Sequence, residues 1–233
     1  INGGRRTSLF KVVKACAFVA CALMLSGFTS ERVSFQNVAV FDDTKPATLQ
    51  GLLAKPDGDG KFPAVILWHT CGGIADHVTK LWPEFFTGLG YATLTIDSFG
   101  PRNHKTCMAP TSLMTPPGRH APSGDPYGAL RYLASLPYID ARRVALMGFS
   151  YGGIMTAYIS NTTFATPEGL RFKTLVSFYG HCSKSTPDAA LYPGGDPKYP
   201  WLIVIGEKET PAFHKSCETL SNKRGVTMKV LLN

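Results

Sequence analysis

The chain alternates short, nearly continuous apolar runs with segments whose apolar residues recur every three or four positions. Residues 63–69 form the first such run. Segment 77–89 has apolar residues at three- and four-residue spacings: Leu81, Trp82, Phe85, Phe86 and Leu89. An uninterrupted apolar run is typical of a strand covered on both faces, whereas the wider spacing indicates an amphipathic helix. The pattern therefore predicts strands that alternate with helices.

The same alternation continues along the chain. We predict further strands at 91–96, 143–148, 174–179, 201–205 and 226–232, and helices at 126–136, 152–159 and 211–221. Two earlier strands, 33–41 and 47–54, are expected to form an antiparallel opening pair. Alternating strands and helices specify a mostly parallel central sheet with helices on both faces, so the expected fold class is α/β.

Residues 1–30 differ in composition from the rest. They hold no acidic residue and four basic ones: Arg5, Arg6, Lys11 and Lys14. An uncharged apolar run follows at 15–28, shorter than the roughly 20 residues that span a bilayer as a helix. These features predict a signal peptide at 1–30 and export to the periplasm or the extracellular space, with no stable membrane span after cleavage.

Residues 31–233 are expected to form one domain, because a chain of 233 residues with 44% apolar content can bury one substantial core. Without the four cations of the signal segment, the formal net charge falls from +8 to about +4. A charge this mild does not match the clustered basic face of a nucleic-acid-binding protein. We therefore expect no nucleic-acid partner.

Cysteine usage bears on the compartment. Two of the six cysteines leave with the signal peptide, and the four that remain are Cys71, Cys107, Cys182 and Cys217. An even number in an oxidising compartment favours two disulfides, with three possible pairings and four buried free thiols as the alternative. None of the four has the C-x-x-C spacing of a metal site, so no metal is expected.

The segment from Gly148 through Ser150 to Gly152 matches G-x-S-x-G, and Gly153 follows it. It comes after an apolar strand and opens a helix, which is the context of a nucleophile elbow. The tight turn requires a strained backbone at the serine and glycine where side chains would collide. Ser150 is therefore the candidate nucleophile, and a glycine-rich turn with a solvent-exposed serine is the alternative.

A serine nucleophile needs a base to take its proton and an acid to orient that base. The acid is expected after strand 201–205, where Glu209 ranks above Glu207 because it lies further into the turn. The base normally follows the last strand, but no histidine occurs there. His181 and His214 are internal candidates, with surface or structural roles as the alternative.

An oxyanion hole needs two backbone N–H donors, and the loss of one can cost on the order of a hundredfold in rate. The Tyr151 N–H, directly after the nucleophile, is one candidate by position. The Cys71 N–H is the second, because it lies in the loop after the first buried strand, where Gly72 and Gly73 permit close approach. A simple glycine turn is the alternative.

Together these features resemble the dienelactone hydrolase family of α/β hydrolases over nearly all of residues 33–233. The resembling segments are 69–73, 90–102, 125–133, 148–153 and 206–209. The resemblance implies the α/β-hydrolase fold and hydrolysis of a small carboxylic ester or lactone through an acyl-enzyme on Ser150. It implies no metal and no organic cofactor.

Three departures from the family pattern accompany this resemblance. Founding members use cysteine where this chain has Ser150, so the chain is similar to a serine branch. Glu209 stands where aspartate is usual. Family members carry the catalytic histidine after the final strand, so the sequence is interpreted as lacking its C-terminal segment.

The resemblance also implies disulfides between Cys71 and Cys107 and between Cys182 and Cys217. Arg102 lies in the Pro- and Gly-rich stretch 99–125, which is too long for a simple connector and is expected to roof or flank a site. The guanidinium is a candidate for holding a substrate carboxylate, with a surface salt bridge as the alternative.

Two other functions compete with ester hydrolysis. A binding protein of the same fold would keep the pocket but lack the catalytic base. A peptidase or acyltransferase would share the Ser150 intermediate and differ in its product.

Overall fold

The computed structural model describes residues 29–41, 44–108, 120–160, 169, 171–180, 182 and 197–232, with the side chains of 120 and 121 excepted. The strands are Ser30–Gln36 (β1), Thr48–Ala54 (β2), Phe62–Trp68 (β3), Ala92–Asp97 (β4), Ile139–Phe149 (β5), Thr174–Phe178 (β6), Trp201–Gly206 (β7) and Val226–Leu231 (β8). The α-helices are Trp82–Gly88 (α1), His120–Ser123 (α2), Asp125–Ser135 (α3), Tyr151–Ser160 (α4) and Pro211–Ser221 (α5).

The eight strands form one sheet in the order β1-β2-β4-β3-β5-β6-β7-β8. β2 pairs antiparallel with both β1 and β4, and all other neighbours are parallel. Parallel neighbours require crossover connections. Helices α1, α3, α4 and α5 lie in four of these connections, and the connection from β6 to β7 includes residues outside the described ranges. The predicted α/β class with a mostly parallel sheet is confirmed.

The two faces of the sheet carry separate apolar clusters. On one face, Trp82 and Phe86 of α1 pack against a cluster that contains Leu67 and Phe149. The larger cluster on the other face includes Ile66 of β3 and buried residues of α3, α4 and α5. Because successive strand residues point to opposite faces, both sides of β3 are apolar, as its uninterrupted run predicts.

The first strand differs from its predicted bounds of 33–41, since β1 ends at Gln36. Beyond it, the buried Asn37 donates its backbone N–H to the Ala47 carbonyl, and its side-chain oxygen accepts from the Ala47 N–H. The Val38 N–H donates to the Gly124 carbonyl. The chain therefore leaves the sheet and turns toward the start of α3.

The single helix predicted at 77–89 is two segments. A π-helical turn, His77–Leu81, precedes α1, and the Trp82 N–H donates to the His77 carbonyl five residues back. Pro83 follows directly and has no N–H to donate. A proline in this position removes the regular α-helical hydrogen bond, which accounts for the wider turn.

Several expectations fall outside the described residues. These are the signal segment up to residue 28, residues 109–119 of the predicted roof, and His181. Among the residues that are described, no helix is long and apolar enough to cross a membrane.

Candidate active site

Ser150 alone connects β5 to α4. Its φ is 50°, in the left-handed region that non-glycine residues rarely adopt. The Ser150 N–H donates to the Phe178 carbonyl at 2.9 Å, and the Ser150 carbonyl accepts from the Ile154 N–H at 2.9 Å. These bonds hold the strained residue on both sides, with its half-buried side chain at the carboxyl end of the sheet.

Glycine is required on both sides of the elbow. A Cβ on Gly148 would lie 2.1 Å from the Gly152 carbonyl oxygen, and a Cβ on Gly152 would lie 2.4 Å from the Trp68 carbonyl oxygen. Both obstacles are backbone atoms, so no side-chain rotation relieves them. The Gly152 N–H also donates to the His69 carbonyl at 3.1 Å, which joins the elbow to the end of β3.

The loop after β3 is a tight turn around Thr70. The Gly73 N–H donates to the Thr70 carbonyl at 3.0 Å, and the Gly72 N–H donates to Thr70 Oγ1 at 3.3 Å. The Cys71 N–H makes no hydrogen bond within the described residues. Of the three N–H groups at positions 71–73, that of Cys71 is therefore the one available for an oxyanion. Tyr151, the predicted second donor, is the first residue of α4. In the first turn of a helix, the backbone N–H groups point toward its N-terminal end and away from the helix body.

His69 has a structural role that the sequence did not indicate. The side chain is fully buried, and its Nε2 accepts from the Ser98 N–H at 3.1 Å. Its Nδ1 lies 2.7 Å from the Thr70 carbonyl and donates to it. A ring with one donor and one acceptor is neutral, and burial lowers the pKa of His69 in agreement with this. The ring therefore holds the start of the loop after β3, residues 70–73, against the segment after β4.

The stability of the fold between pH 7 and pH 5 is expected to depend on His69. In the unfolded chain the imidazole titrates near its ordinary pKa of about 6.5, whereas burial holds the pKa lower in the folded chain. At pH values below about 6.5, the imidazole binds a proton in the unfolded chain but not in the folded chain. The free energy of unfolding therefore falls as the pH falls. The slope from this one residue approaches about 1.4 kcal/mol per pH unit.

Urea unfolding at pH 7, 6 and 5 measures this slope. His69→Asn should be less stable than the parent at pH 7 and should lose less stability on acidification. Ser135→Ala, at the exposed end of α3, is the control and should keep the parent slope. Parallel pH profiles for the parent and His69→Asn would contradict the assignment.

Arg102 is engaged in a buried ion pair. Its two terminal nitrogens donate to the two carboxylate oxygens of Asp125 at 2.9 and 2.7 Å, and their side chains are 11% and 0% exposed. Asn37 Nδ2 donates to the same carboxylate at 3.0 Å, and Arg102 also donates to the Ser98 carbonyl. Burial raises the pKa of Asp125, and the guanidinium opposes that rise. These contacts favour a salt bridge over a substrate contact, and the bridge is buried rather than on the surface.

The proposed acid lies after β7. Glu209 is half-buried and Glu207 is exposed. Thr210 caps α5 by accepting from the Phe213 N–H at 3.3 Å, so the turn that carries Glu209 leads directly into a capped helix. β7 is two strands from β5, a separation of roughly 10 Å, which leaves room for an imidazole between acid and nucleophile.

No described histidine is hydrogen-bonded to Ser150 Oγ. The ring of His69 is committed to Thr70 and Ser98, and His214 Nε2 lies 3.2 Å from the Glu207 carbonyl. Elsewhere, His77 packs edge-on against Phe149 at 5.1 Å between ring centroids. The described residues therefore place the candidate nucleophile beside the loop after β3, with the candidate acid two strands away after β7.

The structure pairs Cys71 with Cys107 and Cys182 with Cys217, each with a Cα–Cα distance of 4.9 Å. These are the pairs that the family resemblance implies. Two disulfides are consistent with an oxidising compartment. Within the described ranges, no group of three or more His, Cys, Asp or Glu side chains is placed to hold a metal ion.

Asp125, the partner of Arg102, and Asn37, which donates to Asp125, were not identified as site residues from the sequence. One sequence feature could have identified Asp125: it opens a helix and lies in a segment that resembles the family. No sequence feature identified Asn37, which was expected within a strand.

Comparison with known proteins agrees with this arrangement. The sequence profile of the dienelactone hydrolase family matches residues 49–230. The chain is 38% identical to Esterase FrsA of Klebsiella pneumoniae over 109 residues, which cover 45% of this chain and 23% of the relative. It is 32% identical to Esterase FrsA of Escherichia fergusonii over 155 residues, which cover 62% of this chain and 34% of the relative. The matches thus span 23% and 34% of the length of these relatives.

Solved structures share the fold. Dienelactone hydrolase from Anabaena variabilis has a TM-score of 0.62 at 21% identity, covering 88% of this chain and 87% of its own. A dienelactone hydrolase-like promiscuous phosphotriesterase from metagenomic libraries has a TM-score of 0.63 at 19% identity, covering 88% and 82%. The profile match spans most of the sequence, and the fold and the elbow agree with it. The chain therefore belongs to the dienelactone hydrolase family.

Proposed function

We propose that this protein hydrolyses carboxylic esters or lactones through an acyl-enzyme on Ser150. The observation that carries the proposal is the left-handed Ser150 at the β5–α4 junction, beside a loop whose Cys71 N–H is available. A non-glycine residue keeps such a conformation only where the surrounding structure holds it, and this occurs mainly at functional sites. Family membership supports hydrolase activity in general.

In the proposed reaction, Ser150 Oγ attacks the carbonyl carbon of the substrate while a base removes the hydroxyl proton. The carbonyl electron pair moves onto oxygen, and the N–H groups of Cys71 and Tyr151 stabilise the resulting oxyanion. Collapse of this intermediate expels the alkoxide, which takes the proton from the base. Water then attacks the acyl-enzyme by the same route and regenerates the serine.

Glu209 is assigned to orient the base and to stabilise its protonated form. Its half-buried position in the turn after β7 supports this choice over the exposed Glu207. Within the sequence, His181 and His214 are the candidates for the base, and the contact of His214 Nε2 with the Glu207 carbonyl favours His181. The buried contacts of His69 support its exclusion from that role.

A fluorophosphonate probe tests the proposal, because it reacts with an activated serine and not with an ordinary one. Intact mass is measured for the 233-residue chain and for the longest natural form of the protein, here called the extended protein, each beside Ser150→Ala. We expect one equivalent of label on the extended protein and none on its Ser150→Ala variant. Label on the 233-residue chain as well would assign the base to an internal histidine, His181 or His214.

Substrate panels separate the competing functions. Turnover of p-nitrophenyl esters or simple lactones, without cleavage of peptides, is the expected result for the extended protein. A folded extended protein that neither labels nor turns over any ester would favour a binding protein of the same fold. Peptide cleavage, or acyl transfer to an added alcohol in place of water, would favour the peptidase or acyltransferase alternative.

A further inference from the structure

The loop that carries the Cys71 N–H is held at that residue by Cys107. The disulfide joins the two side chains, and the Cys107 N–H donates to the Cys71 carbonyl at 3.1 Å. Cys107 is 1% exposed and belongs to the larger apolar cluster, so its position is fixed by packing in the core. Cys71 is half-buried at the edge of that cluster. Cys71, at one end of the peptide unit that bears the oxyanion donor, is therefore tied to the core through Cys107.

The same peptide unit is held at its other end through the Thr70 carbonyl. That oxygen accepts from Nδ1 of the buried His69 ring, which is itself bonded to Ser98, and from the Gly73 N–H. These bonds hold the Thr70 end of the unit and not the Cys71 end. Two consecutive glycines follow Cys71, and glycine permits many backbone conformations. Without the link to Cys107, the unit that bears the Cys71 N–H is held at its Thr70 end alone.

We propose that the Cys71–Cys107 disulfide is a positioning element for the oxyanion hole, acting on the rate of acyl transfer rather than on substrate binding. The proposal rests on the function proposed above for Ser150. An oxyanion donor acts mainly on the transition state, because the negative charge develops there. Misplacing it should lower kcat and leave KM nearly unchanged.

The chain offers a matched control in its second disulfide. The bridges have sequence separations of 36 and 35 residues, so they restrict the unfolded chain to nearly the same extent. Cys182–Cys217 links α5 to the segment after β6, and neither of its residues is an oxyanion donor. Removing either bridge should therefore have a similar general effect on stability, and only removal of the first should disturb the proposed hole.

The experiment compares two double variants of the extended, active protein: Cys71→Ala with Cys107→Ala, and Cys182→Ala with Cys217→Ala. Steady-state kinetics on a p-nitrophenyl ester are measured well below both melting temperatures. We expect kcat to fall about 10- to 100-fold in the first variant with KM within about twofold. Both constants should stay within about threefold in the second variant, which serves as the control provided that labelling has not assigned the base to His181, the neighbour of Cys182.

A transition-state analogue gives an independent measurement. A trifluoromethyl ketone adds Ser150 Oγ to its carbonyl and places an oxyanion in the hole. Its affinity for the first double variant should fall by about the same factor as kcat/KM. If that double variant does not fold, the affinity for the ketone is measured for Cys107→Ser. This single variant removes the same disulfide and leaves the Cys71 side chain in place.

Equal kcat in the first double variant and the parent would overturn the inference, as would equal kcat losses in both double variants. A parent protein without Ser150-dependent labelling or turnover would refute the proposed function, and the inference with it. Ser150-dependent turnover that is insensitive to the first bridge refutes the positioning role alone.

Discussion

Replacing Ser150 with alanine in the extended protein should lower kcat for an ester substrate by about 10⁴- to 10⁶-fold. The change removes the only atom that forms the proposed covalent intermediate. The backbone should be little affected, since alanine faces the same left-handed φ of 50° that serine already adopts. Steady-state kinetics and circular dichroism on the same preparations check both expectations.

Ser135→Ala is the control for this prediction. Ser135 is exposed at the end of α3 and donates to the Tyr132 carbonyl, away from the elbow. Its kcat should stay within about twofold of the parent, because surface substitutions of this kind usually change stability by under about 0.5 kcal/mol. Turnover retained by Ser150→Ala would show that another residue is the nucleophile.

Glu209→Gln should have the second largest effect, lowering kcat by about 10³- to 10⁴-fold. A neutral amide can occupy the same volume, but it does not stabilise the imidazolium that forms during attack, and it can favour the wrong tautomer. The loss should appear in the burst phase of acyl-enzyme formation as well as in steady-state turnover.

The neighbouring Glu207→Gln serves as its matched control, since it makes the same chemical change two residues earlier, at an exposed position after the same strand. We expect this variant to retain at least half of the parent kcat. The reverse pattern, with activity lost in Glu207→Gln and kept in Glu209→Gln, would transfer the role of the acid to Glu207.

Local patterns predicted the elements of the fold well where one physical requirement dominated. The strand at Phe62–Trp68 and the helix at Pro211–Ser221 lie close to their expected bounds, because continuous apolar runs and helical spacing each have one natural structure. The pattern failed at 77–89, where the apolar spacing is helical throughout. There, Pro83 changes the hydrogen bonding to a π-helical turn, and spacing alone does not show this.

The candidate site divides in a similar way. The elbow was predictable because G-x-S-x-G between an apolar strand and a helix leaves few backbone conformations open. The contacts of His69 and Arg102 were not predictable, because their partners are 29 and 23 residues away in sequence. Only the pairing of β3 with β4, and the approach of α3 to the end of β4, bring those groups together.

By itself, the sequence determined the alternation of strands and helices, the position of the elbow with its candidate nucleophile and the residue types around it, since these depend on local periodicity and turn chemistry. The tertiary structure alone decided that Arg102 is neutralised by Asp125, that His69 is buried and neutral, and that the Cys71 N–H is left without an acceptor among the described residues. The physical reason is that burial and hydrogen-bond satisfaction depend on which distant segments pack together, and no local pattern encodes that choice.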